Sequence, residues 1–288
     1  MKKGWLVING FLKSDKFKEI YSLLQSSSTK FNIELVIKTN VELCDVLDNS
    51  LPFTRPDFVL FWDKDVLLAS RLENLGLKLF NSANAIETCD DKGLTALTLA
   101  SNGIAHPKTI IAPKTFENIG YNDLSFLCLA IEKLGFPLII KESFGSFGKQ
   151  VYLAKTYKQA KRIIKKLSHK PFILQEFISD SYGKDVRINV VGEKVVASML
   201  RYNNNDFRSN ISNGGKMQPF TPSKKQESLA IKASKALKLD FGGIDILFGK
   251  DDKPIVCEVN SNLHFKSTLS CTNVNVADYI MEYINGKI

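Results

Sequence analysis

Two short apolar runs, Gly243–Phe248 and Pro254–Asn260, joined by the polar turn Gly249-Lys250-Asp251-Asp252-Lys253, constrain this chain most. Apolar runs separated by such a turn predict a β-hairpin. Each run carries an acidic residue where an apolar one is expected, Asp245 in the first and Glu258 in the second. Pairing Phe248 with Ile255 and counting back sets Asp245 opposite Glu258, with Cβ atoms about 5 Å apart on one face. Side chains alternate along a strand, so Asn260 projects on the same side as Glu258. Buried like charges repel unless a cation compensates. Two carboxylates and an amide oxygen are hard donors that suit Mg²⁺. A sheet face open to water, with each carboxylate paired to a lysine, is the other reading of the hairpin.

Three further segments carry polar residues at strand ends. Ile139-Ile140-Lys141-Glu142-Ser143-Phe144-Gly145-Ser146-Phe147-Gly148-Lys149 reads as a buried strand running into a Gly/Ser loop. A lysine there can hold a phosphate while loop N–H groups close over it. The run lacks the Gly-Lys-Ser/Thr ending of a Walker loop. It does not open a helix either, so it is no dinucleotide fingerprint; a plain hairpin turn is the alternative. Asp206-Phe207-Arg208-Ser209-Asn210, followed by Asn213-Gly214-Gly215-Lys216, offers an arginine, amides and glycine N–H groups. These suit a phosphate or a developing oxyanion, although a polar surface loop has the same composition. Gln175-Glu176-Phe177-Ile178 ends a strand whose backbone could face a ring edge, or simply solvent.

The 288 residues suffice for two or three packed lobes. Residues 1 to about 85 alternate strands (Trp5–Asn9, 33–38, 58–62) with helical spacing at Phe17, Ile20, Tyr21 and Leu24. This predicts a small parallel α/β lobe. The turns at Asn9-Gly10 and Asp63-Lys64-Asp65 fall where open α/β sheets bind ligands. Residues 86–175 read as a second, α+β lobe. Its helices follow Asp90-Asp91 and run from Asn122 or Asp123 to Leu134. Residues 176–288 are strand-rich and include a strictly alternating segment, Asp185–Val191. They also hold a long polar loop, Tyr202–Pro222, and a helix marked by Leu229, Ala233 and Leu237.

No apolar run approaches the roughly 18 residues of a membrane helix, and the apolar stretch after Met1 is too short for a signal peptide. Five scattered cysteines with no Cys-x-x-Cys indicate neither a disulfide framework nor a zinc site, and place the chain in a reducing cytoplasm. The formal charge of +9 leaves nucleic acid, an anionic membrane or acidic small substrates as partners. Much of it studs one helix through Lys158, Lys161, Arg162, Lys165 and Lys166, opposite a stripe of Tyr157, Ala160, Ile163, Ile164 and Leu167. A solvated helix face explains this pattern, and no aromatic residues interleave as single-strand nucleic-acid binding requires.

These elements, in this order from about Ala85 to Ile288, resemble the ATP-grasp superfamily, and within it the RimK-like ligases that attach glutamate or another amino acid to a carboxylate. The resemblance implies an ATP-grasp fold behind an N-terminal pre-ATP-grasp lobe. It implies ATP, two Mg²⁺ ions (or Mn²⁺ in their place), a carboxylate substrate and an amino-acid amine as ligands. It also fits a homodimer or homotetramer. By position it assigns Lys92 and Lys141 to the phosphates and Gly145, Ser146 and Gly148 to the covering loop. Glu176 and Phe177 fall at the adenine hinge, and Asp185 beside the ribose. Arg187, Arg208, Ser209 and Asn210 fall near the transferred phosphoryl group, and Asp245, Glu258 and Asn260 at the metal. The chain departs from the pattern at Gln150, where a third glycine is common. It departs again at Ser261-Asn262-Leu263-His264-Phe265, where a small-Pro-Gly continuation is frequent near the acceptor. The expectation is an ATP-dependent carboxylate–amine ligase that works through an acyl-phosphate and adds glutamate or another amino acid to a peptide, a protein tail or a small-molecule carboxylate. The competing readings are a non-catalytic nucleotide sensor with a basic face and a nucleic-acid-binding protein.

Overall fold

The computed structural model describes residues 1–48, 50–51, 53–146 and 148–288. Its elements begin with β1 (Lys2–Ile8), α1 (Asp15–Thr29), β2 (Ile33–Thr39), β3 (Phe58–Phe61), α2 (Val66–Asn74) and β4 (Leu79–Phe80). These strands form a parallel sheet in the order β2-β1-β3-β4. The sheet is covered on both sides, so β1 reads as a continuous apolar run. Leu6 packs on one face with Ile20 and Leu24 of α1, while Trp5 and Val7 pack on the other with Leu68 and Leu72 of α2.

Next come α3 (Ala83–Asp90), α4 (Lys92–Ser101), β5 (Thr109–Ile111), α5 (Ser125–Leu134), β6 (Leu138–Glu142), β7 (Val151–Ala154), α6 (Tyr157–Leu167) and β8 (Phe172–Glu176). The second sheet is antiparallel in the order β5-β8-β6-β7, with Leu127 of α5 and Ile164 of α6 in its core. The α5 helix starts at Ser125 rather than Asn122 or Asp123, because the Asp123 carboxylate accepts from the Ser125 N–H in a turn before it. On α6 the lysines face water and Ala160, Ile164 and Leu167 are buried, but Tyr157, expected in the apolar stripe, is exposed.

The last part comprises β9 (Lys184–Val191), β10 (Lys194–Tyr202), β11 (Lys216–Pro219), α7 (Lys224–Ala236), β12 (Phe241–Phe248), β13 (Pro254–Asn260), α8 (Lys266–Thr272) and α9 (Val276–Asn285). Its antiparallel sheet runs β11-β10-β9-β12-β13, so the polar loop expected over 202–222 contains an edge strand. α7 covers one face through Ala230 and Ala233. α9 lies between its own sheet and α1, and packs Ile280, Met281 and Ile284 in one core with Val191 and Phe241 of the sheet and with Leu6 and Ile20 of the first lobe. The first and last lobes therefore share apolar interior, and truncating a fully buried aromatic such as Phe241 costs about 3–5 kcal/mol. Buried Asn81 adds a polar tie: it donates to the Phe241 carbonyl (3.0 Å) and accepts from the Asp240 N–H (2.7 Å). The second and third sheets face each other across a cleft.

Candidate active site

Residues from five segments line that cleft: Lys92, Lys141 with the loop at Gly145, Ser146 and Gly148, the hinge Glu176-Phe177-Ile178, Arg208-Ser209-Asn210, and the hairpin of Asp245 and Glu258. It encloses about 860 Å³ with its opening to solvent. Pro107, Ile139, Phe177 and Leu247 give it apolar walls, and lysines, arginines and carboxylates give it a polar end. The cleft therefore has two chemically distinct ends, one apolar and one charged.

Lys92 is set by its neighbour. The Asp91 carboxylate caps α4 by accepting from Gly93 N–H (2.7 Å) and Leu94 N–H (3.3 Å), which puts Lys92 in the first turn. The Lys92 N–H donates to Ser143 O (3.0 Å), tying the helix start to the end of β6. Its ammonium donates to Gly145 O (3.2 Å) and lies 3.7 Å from the Glu258 carboxylate. Lys141 sits in a fully buried strand and points into the cleft at the Cys257 thiol, 3.6 Å away. Its neighbour Glu142 turns away, accepting from Tyr152 and Lys170. At the hinge, Glu176 accepts from the Lys108 N–H (2.7 Å), and Phe177 stands edge-on to Tyr182 and Phe207.

A checkerboard of charge lies under the polar end. β9 runs between β10 and β12, so Asp185 faces Arg201 and Arg187 faces Asp245. Arg201 donates twice to Asp185, at 2.7 and 2.7 Å, and reaches Asp245 at 2.9 Å. Arg187 holds both Asp245 oxygens. Burial opposes charge on Asp245, but Arg187 and Arg201 outweigh it and hold the carboxyl below its usual range. Burial likewise opposes charge on Arg201, and the two aspartates reverse the effect and raise it. The Ser209 hydroxyl donates to Asp185 (2.6 Å), so Asp185, expected beside a ribose, has both oxygens engaged within the protein here. Arg208 is clamped by Asp206 (3.1 and 2.8 Å) and donates to Gly148 O (2.8 Å), which ties the Arg-Ser-Asn segment to the glycine loop.

Two one-residue bulges make these pairings. At the β12–β13 turn Phe248 pairs with Pro254, not with Ile255 as the turn suggested. That register would set Cys257 against Asp245, but the ladder slips by one after Ile246 and Glu258 takes the place. At the β9–β10 turn the pairing of Val191 with Lys194 would set Leu200 against Asp185. A slip between Val195 and Ala197 brings Arg201 there instead. Bulges of this kind re-aim side chains beside functional sites. Arg201 was absent from the sequence-based set; its only signal is an arginine closing an apolar strand.

A second chamber adjoins the first. Ser146, Arg201, Asn210 and Glu258 line both. Arg187 and Asn260 line only the second, together with Asn9, Asp63 and Lys64 from the ends of β1 and β3. The turns flagged on the parallel lobe thus open on this chamber. The Asn9 amide donates to both Asp63 oxygens (3.2 Å each), and burial pushes the Asp63 carboxyl upward.

Among the described residues no three His, Cys, Asp or Glu side chains gather to hold a metal. Glu258 and Asn260 nevertheless share the chamber wall, and the Asn260 amide donates to Gly243 O (3.3 Å). A carboxylate and an amide oxygen suit Mg²⁺, which takes one or two carboxylates plus phosphate oxygens. Asp245 joins such a set only by exchanging a guanidinium.

A family model described as the RimK-like ATP-grasp domain matches residues 89–284. The chain belongs to the RimK-like ATP-grasp family. An uncharacterized protein of Mycoplasma genitalium is 34% identical over 267 residues, 91% of this chain and 92% of that one. Human N-acetylaspartylglutamate synthase A is 34% identical over 223 residues, 77% of this chain and 56% of the human enzyme. The solved RimK domain protein of Sphaerobacter thermophilus superposes with a TM-score of 0.74 at 18% identity, covering 98% of each chain. The fold is thus the ATP-grasp fold, and the chain is an ADP-forming ligase. RimK-like ATP-grasp enzymes use ATP and typically Mg²⁺. Among the described residues no helix is long and apolar enough to cross a membrane.

Proposed function

We propose that the chain joins a carboxylate to the amine of an amino acid, with glutamate the first candidate, through an acyl-phosphate. The observation that carries this reading is the junction of the two chambers at Ser146, Arg201, Asn210 and Glu258. A nucleotide in the first chamber, its adenine between Phe177 and Leu247, would end its phosphate chain at that rim. A carboxylate in the second chamber would meet it there. The name of the human relative, which reports a product ending in glutamate, supports the choice of amine.

In the first step a carboxylate oxygen attacks the γ-phosphorus, the bond to the β-phosphate oxygen breaks, and ADP leaves. In the second the amine nitrogen attacks the acyl carbon, phosphate departs, and the nitrogen loses its proton, leaving an amide. Lys92 and Lys141 balance phosphate charge. Arg208 exchanges Gly148 O for the transferred phosphoryl group and then the tetrahedral oxyanion. Gly145, Ser146 and Gly148 close the site, which protects the acyl-phosphate from water. Mg²⁺, as two ions or with Mn²⁺ in its place, would be held by Glu258, Asn260 and Asp245 and would neutralise charge on the phosphates. The five free cysteines suit a reducing cytoplasm.

Mass spectrometry tests this reading: the protein is incubated with ATP, Mg²⁺, pooled amino acids and a small-molecule cell extract. A product heavier than its precursor by one amino-acid residue, formed with equimolar ADP, is expected. ATP consumption independent of any acceptor, or none at all, contradicts it.

A further inference from the structure

The segment Ser261-Asn262-Leu263-His264-Phe265, which departs from the family's small-Pro-Gly pattern, alternates between core and chamber. Ser261, Leu263 and Phe265 are buried, and the last two join the core that holds Trp62 and Phe241. Trp62 meets the Phe265 ring edge-on at 5.9 Å. The Asn81 amide donates to Ser261 O (3.3 Å). These anchors fix the backbone, and Asn262 and His264 between them line the second chamber. Asn262 also lines a smaller cavity with Lys92, Gly145, Glu258 and Asn260. Its side chain therefore stands between the second chamber and the phosphate end of the site.

The Asn262 Oδ1 is shut from solvent and has no hydrogen-bond partner among the described residues. Folded chains keep few buried acceptors without a donor, because each one costs stability. Donors that share the walls of these two cavities are engaged elsewhere. Lys92 meets Gly145 O and Glu258, Lys64 meets Asp90, Arg187 holds Asp245, and the Asn260 amide donates to Gly243 O. The acceptor is thus in place, and its donor is left for a ligand to bring.

We propose that Asn262 binds the amine substrate, its Oδ1 accepting an N–H of the attacking nitrogen. The inference rests on the ligase reading. Of the groups that this reading brings to the rim, the phosphates and the carboxylate offer only acceptors. The nucleotide's own donors, the adenine amino group and the ribose hydroxyls, belong to its other end. The amine alone supplies an N–H. Held through one N–H, a neutral amine keeps its lone pair free for the acyl carbon. As the C–N bond forms, phosphate leaves with the C–O electron pair and takes up the nitrogen's extra proton. Asn262 orients the nucleophile and moves no proton itself.

The test uses ATP, Mg²⁺, a small-molecule cell extract as the source of the acid, and a choice of amine. One amine is a pool of isotope-labelled amino acids, followed by mass spectrometry. The other is hydroxylamine at high concentration, which traps an acyl-phosphate as its hydroxamate without needing an amino-acid site. Asn262→Leu, close in shape, is expected to raise the apparent KM for the labelled pool by about tenfold or more, the loss of one hydrogen bond to the nitrogen. Its hydroxamate yield and its KM for ATP should stay within about threefold of the wild type. Its thermal midpoint should hold or rise, because the change removes an unpaired buried oxygen. Asn262→Asp, which keeps an oxygen acceptor, should hold the KM for the pool near the wild-type value. An unchanged KM for the pool in Asn262→Leu, a parallel loss of hydroxamate, or a lowered midpoint overturns the proposal. So does an Asn262→Asp enzyme that loses as much as Asn262→Leu. Failure of the ligase reading looks different: the wild type then yields neither hydroxamate nor labelled product.

Discussion

Arg201 grips Asp185 through two hydrogen bonds of 2.7 Å, and both side chains are buried. The pair joins the metal-side carboxylate of Asp245 to the phosphate-side segment of Ser209, because Arg201 also reaches Asp245 and Asp185 also accepts from Ser209.

Removing that guanidinium leaves two buried carboxylates short of a partner. Breaking a buried ion pair costs about 3–5 kcal/mol. Arg201→Met is expected to lower the urea unfolding free energy by that amount, and Arg201→Lys by less. An unchanged midpoint and slope in urea for Arg201→Met would show that the network adds nothing to the fold.

Glu258 is one-third exposed at the rim, so its replacement should spare the fold. Glu258→Gln is expected to keep its thermal midpoint while ADP formation falls by about 10²-fold or more, the loss typical of a key electrostatic contact. The Mg²⁺ concentration giving half-maximal rate should rise with it. Calorimetric melting and coupled ADP release check the two halves separately.

Gly148 has φ 69°, and a Cβ there would lie 2.5 Å from the Asn210 amide oxygen. Gly148→Ala is therefore strained in backbone and crowded against the Arg-Ser-Asn segment. It should raise KM for ATP at least tenfold and cost about 1 kcal/mol of stability. Gly120→Ala, also at positive φ (66°) but with open space beyond it, should carry the stability cost alone.

Acid stability should follow His264. Its folded value of about 4 lies below the ordinary 6.5, so between these values the unfolded chain binds the extra proton. Stability tied to the neutral ring is complete above about pH 6.5 and is lost as pH falls toward 4, by roughly 3 kcal/mol at most. Unfolding in urea at pH 7.5 and 5.0 should differ in the wild type, and His264→Phe should flatten the difference. Asp245 acts lower: its stabilisation is present above about pH 4, the ordinary unfolded value, and lost below it as the carboxyl protonates.

The parallel N-terminal lobe, the order of strands after it, and the hairpin bearing Asp245 and Glu258 were legible in the sequence, because apolar period and turn chemistry are local. The partner of Asp185 was not. Counting from the β9–β10 turn gives Leu200, and only a bulge near Val196 delivers Arg201. The hairpin pairing of Asp245 was reached from a turn register that the structure replaces, with the bulge at Cys257 restoring the same outcome. Bulges leave no signature in a hydrophobic pattern. Nor did the pattern reveal α9 crossing back to α1, since an amphipathic helix does not say which sheet it covers.

The account stands on the first chamber holding a Mg-nucleotide with its phosphates at Lys141. Isothermal titration of the protein with Mg²⁺ and a non-hydrolysable ATP analogue tests this most directly. Saturable one-to-one binding tighter than millimolar is expected, weakened at least tenfold by Lys141→Gln. No binding at millimolar nucleotide, or equal affinity in the variant, would contradict it.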